Sequence, residues 1–405
     1  MIKQNMVIKV LTILLFILAM LNGSAQNTPL SIKQKITSWT STPALTTASV
    51  GYAVSDSRTG EMLIQSEPQQ SLVPASVLKL VTTATALELL GPDFRFETTL
   101  EAVGSIRNDT LFGDLQIIGG GDATLGSGYF PENNHFMDDW MKGLKSKNIK
   151  VVTGKLILDA SIYESQTIPD TWIWEDIGNY YGAGVSGINL FDNLYEVHFT
   201  SPKEAGLKTR IKHIYPEVPG LELKNEVLSS DINRDQAFIY GSPGEYKRVI
   251  RGTIPKNKSD FVIKGSMPDP SALLALHFRK ELAKNNISIA GETEYAPVKK
   301  TDDRIVLRVV NQSPALREII KVTNFESVNL FAENFLKQIS YKKSGLGVTK
   351  RGCQFITEFW KEKGIEMNGF YLSDGSGLSR FNAITPGQLV NILNYMKTKS
   401  VHSEA

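Results

Sequence analysis

The chain contains two Ser-x-x-Lys sequences, Ser76 with Lys79 and Ser340 with Lys343. On a helix, residues three apart lie on the same face, so the lysine amine can reach the serine hydroxyl. A lysine kept neutral by desolvation or by neighbouring charge can remove the hydroxyl proton and create a nucleophile. Either pair could therefore support serine hydrolase chemistry.

The surroundings of the two pairs favour Ser76. Ser76 opens a long apolar helix directly after a hairpin, so its hydroxyl can face a cleft while the helix is buried. The alternative is a helix-capping serine beside a lysine whose stem packs on apolar surface. Ser340 ends an amphipathic helix and runs into a polar turn, so we do not expect it to react.

A Ser-x-Asn sequence would add a second hydroxyl and an amide to such a site. It occurs at Ser146 with Asn148 and at Ser327 with Asn329. Ser146 lies in a charged turn. Ser327 opens a helix whose first polar side chains can project into a cleft, so the Ser327 pair is the better candidate.

Other hydrolase signatures are missing from the sequence. It has no His-Glu-x-x-His, no Gly-x-Ser-x-Gly and no phosphate-binding loop, and its five histidines are scattered. The single cysteine, Cys353, excludes an intrachain disulfide and a cysteine zinc cluster. A net charge of +2 without a basic stripe argues against nucleic acid as a partner.

The secondary structure predicted around these motifs changes along the chain. Residues 49–66 read as a hairpin, and a buried helix of about four turns follows Ser76. Residues 93–265 contain short alternating strands, with a further small β unit expected at about 200–250. Helical spacing returns from Pro270, and Thr385-Pro386 is typical of the start of a final helix.

The first 25 residues are typical of a signal peptide. Lys3 and Lys9 precede a short apolar run, and Gly23-Ser24-Ala25 offers small residues for cleavage before Gln26. The run is shorter than the ~20 residues that span a bilayer. We therefore expect export to the periplasm. An uncleaved anchor is the alternative, and peripheral membrane association is left open.

The order of these motifs resembles the class C penicillin-binding proteins, the D-Ala-D-Ala carboxypeptidases/endopeptidases of the penicillin-binding-protein-4 type. The resemblance covers about residue 45 to the C-terminus. It rests on the Ser76 and Ser327 motifs and on four further segments: LVPASVLKLVTTATAL at 72–87, GGGDATL at 119–125, WIWEDIGNYYGAGVSGINL at 172–190 and DGSGLSR at 374–380.

The resemblance implies an α+β fold. A serine transpeptidase/β-lactamase-like domain, an antiparallel sheet flanked by helices, would comprise residues 26–92 and 266–405. A mainly β insertion of one or two small domains would occupy residues 93–265. The long insertion argues against a β-lactamase or an esterase of the same superfamily.

The resemblance also implies roles for individual residues. Ser76 would attack the D-Ala-D-Ala bond of a peptidoglycan stem peptide, and Lys79 would be the base. Ser327 would relay a proton, and Asn329 would orient Lys79 and the substrate. No cofactor or metal is implied, and β-lactams would inhibit by acylating Ser76.

Two residues are weaker candidates for substrate binding. Arg380 resembles the family arginine that helps to hold the far end of the stem peptide, and a loop ion pair is its alternative role. An aspartate of the inserted region usually joins that arginine, and Asp192 is our candidate.

One expected motif, Lys-Thr-Gly after the DGSGLSR segment, is missing. Lys343-Ser344-Gly345 precedes that segment in a polar turn, so we do not assign it this role. We expect a chain truncated at its C-terminus, which would leave the activity of this form uncertain. The alternative is a degenerate, non-catalytic homologue that binds peptidoglycan.

Overall fold

The computed structural model describes residues 29–298 and 304–404. Its helices are α1 (Pro29–Thr40), α2 (Lys79–Leu90), α3 (Phe136–Ser146), α4 (Trp174–Ile177), α5 (Pro270–Lys284), α6 (Leu316–Glu326), α7 (Asn329–Ser344), α8 (Thr349–Glu362) and α9 (Pro386–Thr398). None of the helices in these residues is both long enough and apolar enough to span a membrane. The expected signal peptide, residues 1–25, lies outside the described residues.

Fifteen strands alternate with these helices in the described residues. They are β1 (Tyr52–Ser55), β2 (Met62–Ser66), β3 (Glu97–Arg107), β4 (Thr110–Gly119), β5 (Val151–Val152), β6 (Leu156–Asp159), β7 (Leu194–Thr200), β8 (Arg210–Tyr215), β9 (Glu222–Ser230), β10 (Gln236–Tyr240), β11 (Lys247–Pro255), β12 (Phe261–Ser266), β13 (Ser288–Ile289), β14 (Thr293–Tyr295) and β15 (Ile305–Gln312).

One compact unit combines residues 29–72 with residues 385–399. Its strands β1 and β2 form the antiparallel hairpin that the sequence predicted, with Val54 opposite Ile64. Its helix α9 begins as predicted, because the Thr385 side chain accepts a hydrogen bond from the backbone N–H of Gln388 at 3.1 Å. Both predictions are confirmed.

The second unit, residues 73–384 and 400–405, contains a seven-stranded sheet. Strands β3 and β4 form a long antiparallel hairpin, and β15 pairs antiparallel with the other edge of β3. Strands β5 and β6 lie parallel to β4, and β13 and β14 extend the sheet beyond them.

This sheet contains strands from both sides of residue 265, where the sequence predicted a domain boundary. Strands β13, β14 and β15 follow that residue in the chain, yet they pair with strands that precede it. Helix α5 is therefore followed by further strands of the sheet that begins at β3. The sheet extends to Gln312.

Two three-stranded sheets complete the β structure of the described residues. One has the order β10-β11-β9, and the other has the order β12-β7-β8. The residues expected as a nested unit, about 200–250, contribute to both sheets. The assignment of the chain to separate domains therefore stays a prediction.

Helix α2 is buried on most of its faces, as its apolar sequence predicted. Val81, Ala86 and Leu87 are buried, and α2 packs against α7 and α8. The indole N–H of Trp360 on α8 donates to the Thr85 hydroxyl at 2.9 Å. Full burial of a large apolar side chain stabilises a fold by about 1.5–3 kcal/mol. This packing gives the residues at the start of α2 a rigid support.

Candidate active site

Ser76 and Lys79 lie where a tight turn becomes a helix. Residues Ala75–Leu78 form one 3-10 turn that leads directly into α2. Ala75 has a left-handed backbone with φ 46°, and Ser76 is exposed. Lys79 is only 2% exposed, and its Nζ lies 3.1 Å from Ser76 Oγ. The hydroxyl is therefore open to a substrate while the amine behind it is not.

The other polar partners of Lys79 are uncharged oxygens. Its Nζ donates to Asn329 Oδ1 at 2.6 Å and to the Ser376 carbonyl at 2.9 Å. Burial lowers the pKa of Lys79 to about 8, and the more distant carboxyl groups of Glu333 and Asp374 oppose this shift. On the order of a tenth of the amine is then neutral at pH 7, far more than for an ordinary lysine, and this form can accept the Ser76 proton.

Asn329 connects Lys79 to the segment at 172–190. It is the first residue of α7, and its Nδ2 donates to the Tyr181 carbonyl at 2.8 Å. Its oxygen therefore points toward Lys79 because its nitrogen is engaged elsewhere. The predicted pairing of Asn329 with the Ser-x-x-Lys lysine is present in the structure.

Ser327 lies close in sequence but makes no comparable contact. It caps α6 in a left-handed conformation with φ 57°, and it is exposed. Within the described residues, its hydroxyl has no hydrogen bond to Ser76 or Lys79. The structure thus brings three of the four predicted catalytic residues into direct contact and leaves the Ser327 hydroxyl facing solvent.

A buried aspartate fixes the DGSGLSR segment. Asp374 accepts hydrogen bonds from the indole of Trp172 at 2.8 Å, the Asn382 amide at 2.7 Å and the backbone N–H groups of Gly377 and Ser379 at 2.9 and 2.6 Å. Four donors match the acceptor capacity of one carboxylate. The segment is thereby held rigidly beside Lys79.

Gly377 brings this segment against the turn that carries Ser76. Its φ is +85°, and a Cβ placed on it would lie 1.8 Å from the Ala75 carbonyl oxygen. Both the left-handed backbone and the close approach require glycine. Separately, the Thr82 hydroxyl on α2 donates to the Gly375 carbonyl at 2.7 Å.

The model of the D-Ala-D-Ala carboxypeptidase 3 (S13) family matches residues 32–405. The chain belongs to this family. The resemblance to penicillin-binding-protein-4-type enzymes is confirmed by this match and by the relatives that share it.

Among the relatives of this S13 chain is the D-alanyl-D-alanine carboxypeptidase of Actinomadura sp. (strain R39). It is 27% identical over 361 residues, which are 87% of this chain and 65% of that protein. The D-alanyl-D-alanine carboxypeptidase DacB of Haemophilus influenzae is 22% identical over 86% of this chain and 71% of its own length. The chain spans about two thirds of the length of these relatives.

A solved structure shows the same fold. The crystal structure of penicillin binding protein 4 (dacB) from Haemophilus influenzae matches with a TM-score of 0.71 at 22% identity, covering 83% of this chain and 72% of that one. The same protein complexed with a β-lactam matches with a TM-score of 0.64. The predicted α+β fold class of this S13 protein is confirmed.

The structure does not bring Asp192 to Arg380. The Asp192 carboxylate accepts hydrogen bonds from the Ser127 hydroxyl and from the Gly128 N–H at 3.0 Å. Burial raises its pKa, and these two hydrogen bonds oppose the shift. Asp192 lines a cavity of about 480 Å³ together with Lys264.

Asp176 lies near enough to Arg380 for the charge of the arginine to lower its pKa, although no ion pair joins the two in the described residues, and the sequence reasoning missed it. Burial raises the pKa of Asp176, whereas a hydrogen bond from Tyr181 and the charge of Arg380 lower it. Asp176 lies inside the 172–190 segment that carried part of the family resemblance.

Proposed function

We propose that the protein is a serine-type D-Ala-D-Ala carboxypeptidase/endopeptidase that cleaves peptidoglycan stem peptides or cross-bridges through an acyl-enzyme on Ser76. The observation that carries the proposal is the buried Lys79 amine, 3.1 Å from an exposed Ser76 hydroxyl. Membership of the S13 family and the names of its relatives support the same substrate class.

Acylation begins when Ser76 Oγ attacks the carbonyl carbon between the last two D-Ala residues. Lys79 Nζ accepts the Oγ proton as the new C–O bond forms. The Ser76 N–H donates to the oxyanion, and one such donor contributes about 3–4 kcal/mol. When the C–N bond breaks, the proton on Lys79 passes to the leaving amine. The family resemblance assigns this relay to Ser327, which shares no hydrogen bond with Lys79 in this structure, so the bound substrate must bridge the two side chains.

Deacylation uses the same groups in reverse. A water molecule attacks the ester carbon, and Lys79 accepts one of its protons. The C–O bond to Ser76 breaks, and Lys79 passes the proton that it accepted to the serine oxygen. Asn329 holds Lys79 in place through its oxygen during both steps. In an endopeptidase reaction, the leaving group is a diamino acid side chain rather than D-Ala.

Arg380 and Asp176 are proposed to bind the far end of the stem peptide. The exposed guanidinium of Arg380 and the partly buried carboxylate of Asp176 carry opposite charges. This pair of charges suits a ligand group that carries both a carboxylate and an amine. Asp192 remains a sequence-based candidate for a separate contact within the inserted region.

The site of action is proposed to be the periplasm. The basic start, short apolar run and small residues before Gln26 support export by a signal peptide. N-terminal sequencing of protein from a Gram-negative host should then begin near Gln26. Recovery of intact Met1 in the membrane fraction would favour an anchor instead.

Fluorescent penicillin tests the proposed chemistry. The full-length protein should be labelled, and Ser76→Ala should remove the label while Ser340→Ala, its matched control, keeps it. Release of D-Ala from a pentapeptide should follow the same pattern. An adduct mapped to Ser340 by mass spectrometry would overturn the assignment, and peptidoglycan binding without any label would indicate a non-catalytic protein.

A further inference from the structure

Glu333 is a buried acid directly behind the catalytic lysine. It lies on α7, one helical turn after Asn329, and is 2% exposed. Its Oε1 accepts hydrogen bonds from the backbone N–H groups of Gly375 at 3.0 Å and Ser376 at 2.7 Å. The side chain therefore links α7 to the DGSGLSR segment.

The backbone held by Glu333 also contacts α2. The peptide unit between Gly375 and Ser376 donates its N–H to Glu333 and accepts a hydrogen bond from Thr82 through its carbonyl. The next carbonyl, that of Ser376, accepts from Lys79 Nζ at 2.9 Å. Displacement of Glu333 would therefore move an acceptor of the base itself.

The charged and titratable groups that act on Glu333 come from each element packed around it. Lys79 lies on α2, Lys337 lies one turn further along α7, Cys353 lies on α8, and Asp374 lies in the DGSGLSR segment. Burial and the charge of Asp374 raise the pKa of Glu333 to about 8.

We propose that Glu333 is a positioning residue, which fixes the Gly375–Ser376 backbone for Lys79 and whose negative charge, when it ionises, favours the protonated lysine. This inference rests on the proposed function of Ser76 and Lys79. Glu333 does not touch the reacting atoms. It acts through the Ser376 carbonyl and through its electrostatic effect on Lys79.

The direction of the charge effect is defined by the structure. An ionised Glu333 raises the pKa of Lys79, so removing the possibility of ionisation lowers it. Glu333→Gln keeps the length and an acceptor oxygen but carries no charge. Glu333→Leu keeps the approximate volume but removes both hydrogen bonds to the segment.

The test measures the rate of Ser76 acylation by fluorescent penicillin between pH 5.5 and about 9.5. Glu333→Gln should shift the midpoint of the acid limb downward by at least about half a pH unit. Glu333→Leu should slow acylation by about 10-fold or more at every pH. Glu358→Gln, an exposed glutamate on α8, is the matched control.

Two results would overturn the proposal. One is a Glu333→Gln profile with an unmoved or raised midpoint, because a purely structural residue would change the rate without moving the midpoint. The other is a well-folded Glu333→Leu protein that is acylated at the wild-type rate. If the Glu333→Leu protein does not unfold cooperatively, the pH profile of Glu333→Gln acylation alone tests the proposal.

A second readout separates this proposal from the proposed function. The ¹³Cε shift of Lys79 in lysine-labelled protein, assigned with Lys79→Met, reports its titration without requiring acylation. A wild-type protein that is not labelled by penicillin would refute the serine hydrolase function. A lower Lys79 midpoint in Glu333→Gln would still support the role of Glu333.

Discussion

The two Ser-x-x-Lys pairs have the same spacing and opposite surroundings. Ser76 is exposed and Lys79 is buried, whereas Ser340 is fully buried and Lys343 is exposed. The Ser340 hydroxyl donates to the Leu346 carbonyl at 2.8 Å and accepts from the Val348 N–H at 3.0 Å. The pair proposed to be active thus combines an accessible hydroxyl with a desolvated amine, and the other pair has neither.

The difference follows from where each pair lies in its helix. Ser76 precedes a helix that enters the core, so the next turn carries Lys79 into a dry environment. Ser340 lies in the last turns of α7, where the chain leaves the core and Lys343 reaches solvent near the carbonyl end of the helix. Spacing brings the two groups together, but burial determines their chemistry.

The largest expected effect comes from removing the two lysines separately. Lys79→Met should lower the rate of penicillin acylation by about 10²–10⁴, the usual contribution of a general base. Lys343→Met should leave the rate within about twofold, because an exposed surface substitution rarely perturbs a fold. The acylation rates would be measured by quenching the labelling reaction at set times and quantifying the fluorescent band on a gel.

Thermal melts of both lysine variants serve as the control. Both proteins should unfold cooperatively, which would show that a lost rate in Lys79→Met is not lost structure. Equal rates in the two variants would mean that burial does not distinguish the two pairs.

A smaller and graded effect is expected from pH. Lys79 must be neutral to accept a proton, and its pKa is lowered to about 8, so acylation should rise with pH and level off above about 8. Well below the midpoint, the rate should change about tenfold per pH unit. A midpoint near the ordinary lysine pKa, about 10.4, would contradict the desolvated state of Lys79.

The smallest effect concerns Ser340, where only stability should respond. Ser340→Ala leaves the Val348 N–H without its partner and removes one of the two hydroxyl donors to the Leu346 carbonyl, which should cost about 1–3 kcal/mol in the free energy of unfolding. Urea denaturation measures this loss. Acylation of Ser76 should be unchanged, and a stability equal to wild type would show that the Ser340 hydrogen bonds are replaced by water.

Local patterns were sufficient to predict the elements that carry the reactive groups. The apolar run after Ser76 predicted a buried helix, and the position of Asn329 at a helix start followed from the polar residues before it. These features depend on neighbouring residues, so a single sequence contains them.

The pairing of strands that are far apart in the chain could not be predicted from such local patterns. Strands β13 to β15 return to a sheet whose other strands lie more than a hundred residues earlier, and no periodicity records that pairing. The choice of Asp176 over Asp192 beside Arg380 depends on the same tertiary folding. Glu333 was missed because a single glutamate in an amphipathic helix is usually solvated.

Gly377 has a consequence for variation in this protein. Its left-handed backbone and its contact with the Ala75 carbonyl leave no room for a single added methyl group. In a library of all single substitutions selected for penicillin labelling, position 377 should retain glycine alone, while exposed Arg380 three residues later should accept several residues. A substitution at position 377 is therefore not expected to give β-lactam resistance with retained activity, because it would displace Ser76, the residue proposed to react.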